Sequence, residues 1–218
     1  MREKVIFIGA GGHARSVLDI AIENDEFDIV GCLDPIYPER IAVESMEDIP
    51  IIGTDDDLES FYDRGIRHIF IAIGPNKLRS NLYKKAVDIG FIPVNIISQN
   101  ARISKGATLG QGICIMAGAV LNVNSIIGDN CIINSNCSID HDCNIGNSVH
   151  IAPGATLSGY VLIGDGTHIG TGANVIDRIS IGKHCFVGCG SAVVSNIEDY
   201  VMAYGVPARR IKEIEKGL

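Results

Sequence analysis

The chain has 218 residues, 46% of them hydrophobic but only 6% aromatic and none Trp, which excludes a disordered protein and demands a core of aliphatic side chains. A formal net charge of −8 argues against nucleic acid as the main partner. Seven cysteines form an odd set, and the first apolar run, Val5 to Ala10, is too short for a membrane span or a secretory signal, so the thiols read as reduced in a cytoplasmic protein without a membrane segment.

In chain order, Val5-Ile6-Phe7-Ile8 reads as a buried strand, and Gly9-Ala10-Gly11-Gly12-His13-Ala14 opens a helix running to about Asn24. A second strand, Ile29 to Leu33, ends at Asp34; Ile51-Ile52 reads as a short third, and His68 to Ile73 as a further one ending at Gly74. A helix from about Lys77 to Ile89 follows, and Phe91 to Ile97 leads onward. This alternation predicts a Rossmann-like domain over residues 1–97, a small parallel sheet with helices on its faces. Gly9-x-Gly11-x-x-Ala14 matches the dinucleotide fingerprint, with Asp34 lying 20 residues past Ala14. Glycines there let backbone N–H groups approach a phosphate, and a helix N-terminus favours its charge. The region is short for a full dinucleotide fold and nothing downstream resembles a hydride-transfer site. One nucleoside diphosphate is therefore favoured over NAD, the alternative being a tight turn that needs glycine for itself. Gly9, Gly11, Gly12, His13, Asp34 and Gly74 are the candidate substrate-binding residues here.

From Ile103 to Val193 every sixth residue is Ile, Leu or Val, sixteen positions without a break, so no helix can satisfy the period. Four places after most of them comes a small or β-branched residue, such as Ala119, Ser125, Cys131, Cys137, Cys143, Val149, Thr167 or Cys185, and Gly often follows the aliphatic. The small residue and the next aliphatic are two apart, on one face of a strand. A short strand and a turn every six residues predict a β-solenoid over residues 98–218. Cys131, Cys137, Cys143 and Cys185 then face inward as compact hydrophobes rather than metal ligands. His150 and His168 each precede an inward aliphatic, so they face outward, while His141 falls in the turn Asp140-His141-Asp142.

The hexapeptide pattern resembles the left-handed parallel β-helix acyltransferases, which implies three hexapeptides per coil. Gly9 to His13, Asn134 through His141-Asp142, His150 and the C-terminal Tyr204-Gly205-Val206-Pro207-Ala208-Arg209-Arg210 extend the resemblance to nearly the whole chain. The family contains the UDP-amino-sugar N-acetyltransferases of bacterial glycan synthesis and relatives described as sialic-acid O-acetyltransferases. The resemblance implies a homotrimer that uses acetyl-CoA by direct transfer, with no Ser or Cys nucleophile. It implies His141 as general base, a role to which an imidazole is suited because it can both accept and return a proton. Asp142, where the family typically has Glu, would orient that ring. By the same resemblance Asn134 lines the acceptor site, His150 lies near the thioester, and the Gly159 N–H meets the thioester oxygen. Thr171 and Cys189 fall on coenzyme A contacts, Cys189 replacing a typical Gly. Arg209 and Arg210 are either the cations for the coenzyme's phosphates or solvated charges of a terminal helix.

His141 and His150 are nine residues apart, half of an 18-residue coil, so their side chains diverge within one chain and can serve one reaction only across subunits. A UDP-linked 4-amino sugar is the expected acceptor, since a nucleotide domain would be idle with free sialic acid. GDP- and dTDP-linked sugars are left open, and O-acetylation of a sialic acid is the runner-up. Two other classes compete. Trimeric β-helices also host zinc on histidines from two subunits, as in gamma-class carbonic anhydrases, and His141, His150 and His168 offer nitrogens. Stacked His150 and His168 lie in a line about 5 Å apart, however, and no residue to orient such ligands stands out, so no metal is expected. A sugar-nucleotide-binding protein without catalysis would show no acetyl-CoA turnover.

Overall fold

The computed structural model describes residues 2–215, and the chain divides into two compact units between Ile97 and Ser98. The first contains β1 (Glu3–Ile8), α1 (Gly12–Asn24), β2 (Phe27–Leu33), β3 (Ala42–Val43), β4 (Met46–Gly53), α2 (Leu58–Asp63), β5 (His68–Ile71), α3 (Asn76–Ile89) and β6 (Ile92–Pro93). They form one sheet in the order β3-β4-β2-β1-β5-β6. All neighbours are parallel except the edge pair β3 and β4. Val5 to Ile8 and Ile69 to Ile71 are almost fully buried, as a parallel strand covered on both faces requires. On one face Ile6, Ile8, Ile69 and Ile71 pack with Leu58 and Phe61 of α2 and Leu82 and Ala86 of α3.

Three features differ from the sequence expectation. The third strand is eight residues long rather than two. Pro50 hides it in the sequence, yet Pro50 pairs with Ala42 of the edge strand β3, where a missing donor is tolerated. The hairpin strand β3 and the six-residue α2 are too short to leave a periodic pattern. A 3-10 turn, Asp55–Asp57, leads into α2 and is held by Thr54, whose Oγ1 accepts from Asp56 N while its own N–H donates to Asp57.

The second unit is a parallel β-helix. Two-residue strands recur every six residues and pair with their equivalents 18 residues on, as in Ile133, Ile151, Ile169 and Val187. The pairing generates three sheets. One carries the His150–Ile151 strand, one the Ser138–Ile139 strand and one the Asn144–Ile145 strand. The inward register holds: Cys131, Cys137, Cys143 and Cys185 are at most 2% exposed. Three of these thiols are more than fillers. Cys131, Cys143 and Cys185 donate to the carbonyls of Gly146, Ser158 and Glu198 in the next coil, as the Thr167 hydroxyl does to Gly182.

The recurrent glycines have a local cause. Asp129, Asn147, Asp165 and Asp199 each accept an N–H from the coil before them. Their side chains lie across Gly110, Gly128, Gly146 and Gly182, where a Cβ would overlap them. Every sixth residue from Gly112 to Gly190 also has a left-handed backbone, with φ between 53° and 72°. Those turns are what bend the chain from one sheet to the next. The unit ends in an antiparallel hairpin, Val201–Gly205 with Ala208–Glu213, so Arg209 and Arg210 sit on a strand and not on a terminal helix. The Gly205-Val206-Pro207 turn reverses the chain there and pairs it back on itself. Among the described residues no helix is long and apolar enough to cross a membrane.

Candidate active site

In the first unit the candidate residues gather at the carboxyl ends of the strands. Gly9 to Gly12 follow β1, Asp34 follows β2 and Gly74 follows β5. The chain leaves β1 toward β2 on one side while β5 lies on the other, so this edge is a topological switch point, where open α/β sheets bind ligands. The glycines divide by role. Gly9 has φ +109° and a Cβ there would lie 2.8 Å from the Ala72 carbonyl, so the chain itself demands Gly9. Gly11 and Gly74 have no atom within 4 Å of a Cβ and Gly12 only the tip of Arg15 at 3.8 Å, so internal packing demands none of the three.

Asp34 clamps the loop: Oδ2 accepts the Ala10 N–H at 2.8 Å and Oδ1 the Ile36 N–H at 3.0 Å. Each oxygen keeps a further lone pair for a ligand. His13, in the first turn of α1, is mostly buried and its Nε2 has no hydrogen-bond partner among the described residues. Burial, helped by the nearby Arg79 charge, pushes its pKa down to about 4, so the ring is neutral at physiological pH. Arg79, 1% exposed, donates to the Ile73 and Gly74 carbonyls and to Asn76, bracing the β5 turn. Nothing in the sequence set this arginine apart from an ordinary helix-surface cation. A separate hollow of about 790 Å3 between α2 and α3 holds none of these residues, and its Lys85 is engaged by Asp55 and Asp56.

In the second unit His141 lies at the corner between the Ser138–Ile139 and Asn144–Ile145 strands, its side chain 44% exposed. Its Nδ1 is 2.8 Å from Asp142 Oδ2. The shorter acid reaches the ring because Asp142 itself takes the left-handed backbone, φ 58°. Asn124, one coil earlier, donates to the other Asp142 oxygen at 3.1 Å. The hydrogen bond from His141, then that from Asn124, hold the Asp142 carboxyl below its ordinary range, so it stays an acceptor. Asp140 caps the same turn by accepting the His141 N–H at 2.8 Å. The ring lies directly over Gly159, where a Cβ would stand 2.6 Å from Cε1 and 2.8 Å from Nε2. Tyr160 meets the ring edge-on, centroids 5.3 Å apart at 88°, and Arg178 sits 4.6 Å over Tyr160.

The sequence reading singled out neither Tyr160 nor Arg178, although a signal was present. Both occupy the left-handed slot that Gly, Asn, Asp or Ser fills at most other turns.

The remaining candidates lie elsewhere on the solenoid. His150 is on the sheet opposite the His141 corner, with Asn134 Nδ2 3.1 Å from its Nε2. His150 meets His168 edge-to-face, with centroids 4.7 Å apart at 84°, and Phe186 stacks on His168 at 4.8 Å. Thr171 and Cys189 are exposed at the corner that follows this sheet. Thus His141, Asp142 and Gly159 come together on one side of the chain, and Asn134, His150, Thr171 and Cys189 on the other. At the C-terminal hairpin Arg210 is engaged by Glu198 and Glu213. Arg209 donates to its neighbour's carbonyl and lines, with Arg210, a cavity of about 300 Å3. Among the described residues no group of three or more His, Cys, Asp or Glu is arranged to hold a metal ion.

Two family models match the chain: the PglD N-terminal domain over residues 4–86 and the bacterial transferase hexapeptide (six repeats) over residues 124–159. No curated protein sequence matches. Among solved structures, the H141N mutant of perosamine N-acetyltransferase from Caulobacter crescentus, in complex with CoA and GDP-perosamine, is 38% identical, with 96% of this chain and 97% of that one covered and a TM-score of 0.91. The acetyltransferase domain of PglB from Neisseria gonorrhoeae, in complex with acetyl coenzyme A, is 32% identical over 97% of this chain and 100% of that one, with a TM-score of 0.88. WeeI from Acinetobacter baumannii is 25% identical over 97% and 100%, with a TM-score of 0.83. Likeness of this extent, across both units, makes the chain a member of the PglD-type sugar-nucleotide N-acetyltransferases built on a hexapeptide left-handed β-helix.

Proposed function

We propose that this chain transfers an acetyl group from acetyl-CoA to the amino group of a nucleotide-linked amino sugar, with His141 as general base. The observation that carries the reading is the 2.8 Å approach of His141 Nδ1 to Asp142. A carboxylate there keeps the proton on Nδ1 and leaves the Nε2 lone pair to receive one. The substrate amine attacks the thioester carbonyl and gives its proton to Nε2. The tetrahedral intermediate then expels the coenzyme A thiolate, which regains a proton from the imidazolium. The Gly159 N–H, which has no main-chain acceptor among the described residues, is the donor we assign to the developing oxyanion. The first unit is assigned to the acceptor's nucleotide. Space over Gly11, Gly12 and Gly74 that no protein atom requires supports that assignment.

The H141N and H141A forms of the Caulobacter relative hold CoA with GDP-perosamine, which supports the GDP-linked sugar that the sequence left open beside the UDP-linked one. His150, Thr171 and Cys189 are assigned to the coenzyme, together with Arg209. Because they lie on the side of the solenoid away from His141, each site takes its base from one subunit and coenzyme contacts from the next, in a homotrimer. An enzyme drawing on acetyl-CoA with reduced cysteines belongs in the cytoplasm.

The test is turnover of acetyl-CoA with a panel of UDP-, GDP- and dTDP-linked amino sugars and free sialic acid, by the parent and by His141→Ala. We expect acetylation of one nucleotide amino sugar and a loss of about 100-fold or more in His141→Ala, with an unchanged melting temperature. Near-full activity of the variant would remove His141 from the mechanism. Turnover of free sialic acid alone would replace the acceptor.

A further inference from the structure

Fourteen consecutive hexapeptide turns, from residue 112 to residue 190, place one residue each in the left-handed backbone region. Six of these are Gly, three Asn, one Asp and one Ser, the residues that take this conformation most readily. The exceptions are Tyr160, Arg178 and His184. A bulky side chain with positive φ is an outlier that persists only where the surroundings hold it, and such residues cluster at functional sites. Two of the three stand in one column at the corner of His141, one coil and two coils beyond Asp142. Asn124, Asp142, Tyr160 and Arg178 follow one another there at 18-residue intervals. Neither exception is explained by burial. Tyr160 is 44% exposed, and Arg178 is exposed with Asp177, its neighbour at 3.7 Å, as its one ion-pair partner among the described residues.

Both instead make contacts that lead to His141. The Tyr160 ring stands at 88° to the imidazole with centroids 5.3 Å apart, the edge-to-face arrangement aromatic rings prefer. The Arg178 guanidinium covers Tyr160 at 4.6 Å, within cation–π range. With Asp142 on Nδ1 and Gly159 beneath the ring, Tyr160 supplies the remaining wall against which the imidazole is set.

We propose that Tyr160, braced by Arg178, is a positioning residue that fixes the His141 ring for proton transfer and is kept in a left-handed turn for that purpose. The inference rests on the reading of His141 as the base. The Tyr160 N–H donates to the His141 carbonyl at 3.0 Å, a bond any residue at this position keeps. The Tyr160 hydroxyl also acts on the Asp142 carboxyl, so Asn removes ring and hydroxyl together while Phe removes the hydroxyl alone. Other charged groups facing the imidazole are Asp140 and Asp142 on its own turn and Arg178 with Asp177 beyond Tyr160.

The experiment compares Tyr160→Asn, Tyr160→Phe and His141→Ala with the parent, recording kcat, both KM values and thermal midpoints. Tyr160→Asn relaxes the backbone and removes the wall. Its kcat should fall about tenfold, with KM for both substrates within twofold and a thermal midpoint equal to or above the parent's. Tyr160→Phe retains the ring and should restore kcat to within about twofold. A loss of stability that parallels the loss of activity would make the role structural. A raised KM with unchanged kcat would make Tyr160 a substrate contact, and a parental kcat in Tyr160→Asn would leave it no role. Any of these three overturns the proposal. Should His141→Ala itself stay active, the general-base reading has failed, whereas an inactive His141→Ala beside a fully active Tyr160→Asn overturns only the positioning role.

Discussion

Gly159→Ala is the sharpest probe of the His141 geometry because it adds one carbon and removes nothing. The new Cβ would stand 2.6 Å from His141 Cε1, 2.8 Å from Nε2 and 3.2 Å from Nδ1. Carbon contacts relax at about 3.5–4.0 Å, so the ring must withdraw by about 1 Å. The Gly159 backbone is outside the left-handed region, so alanine brings no conformational strain there. The His141 side chain is 44% exposed and has solvent to move into. The fold should therefore be unaffected and the Gly159 N–H retained, leaving ring position as the variable. Misplacement on this scale costs about 10- to 100-fold in rate, or about 1.4–2.7 kcal/mol of transition-state stabilisation. Steady-state kinetics with saturating acetyl-CoA, with a thermal melt of the same preparation, measures both quantities. A kcat within twofold of the parent would refute the argument that the ring works where it lies over Gly159. A fall of several degrees in the melting midpoint would refute the claim that only the ring had moved.

Three further outcomes follow from the geometry. A Cβ at Gly11 has no protein atom of the described residues within 4 Å, so Gly11→Leu should fold normally while acceptor affinity falls at least about tenfold and acetyl-CoA affinity is unchanged; equal loss of both would make the first unit structural. His13 binds a proton near pH 6.5 when unfolded and only near 4 when folded, so acidification through that window should lower stability by up to about 3 kcal/mol. Urea melts of parent and His13→Asn from pH 7 to pH 4 should show that slope only in the parent. Inactive His141→Ala chains mixed with chains disabled at His150 should regain part of the activity through mixed trimers, and a fully active monomer would sink the shared-site model.

The solenoid was legible because its period is set by geometry. Each aliphatic from Ile103 onward must point inward once per turn, and Cys131, Cys137 and Cys143 fill the slot between coils as their spacing requires. The β1-loop-α1 unit was legible for a similar reason, since Val5 to Ile8 are buried on both faces and Gly9 is demanded by the Ala72 carbonyl. What escaped were elements fixed by single contacts. The helix α2 is entered through the Asp55–Asp57 turn that the Thr54 capping box holds, and β4 is extended by pairing with an edge strand two residues long. Arg79 could not be distinguished from a solvated cation because its partners, the carbonyls of Ile73 and Gly74, carry no sequence signal.

Within the site the same division holds, with one instructive exception. His141 and Asp142 stood out as an adjacent pair, but their competence depends on a column of residues 18 apart that no local motif contains: Asn124 on the acid, Gly159 under the ring, Tyr160 and Arg178 at its edge. A solenoid converts sequence distance into contact at a fixed interval, so a reading by columns of 18 recovers neighbours that a reading by motifs misses. The column through residue 142 departs from the repeat's own rule twice, at Tyr160 and Arg178, where the turn is best served by Gly or Asn. A repeat that fixes its backbone so strictly makes each departure informative, because the departing side chain must make contacts that offset the strain of its turn. Here those contacts run from Arg178 through Tyr160 to the imidazole, and they point to proton transfer rather than to folding as the reason for both residues.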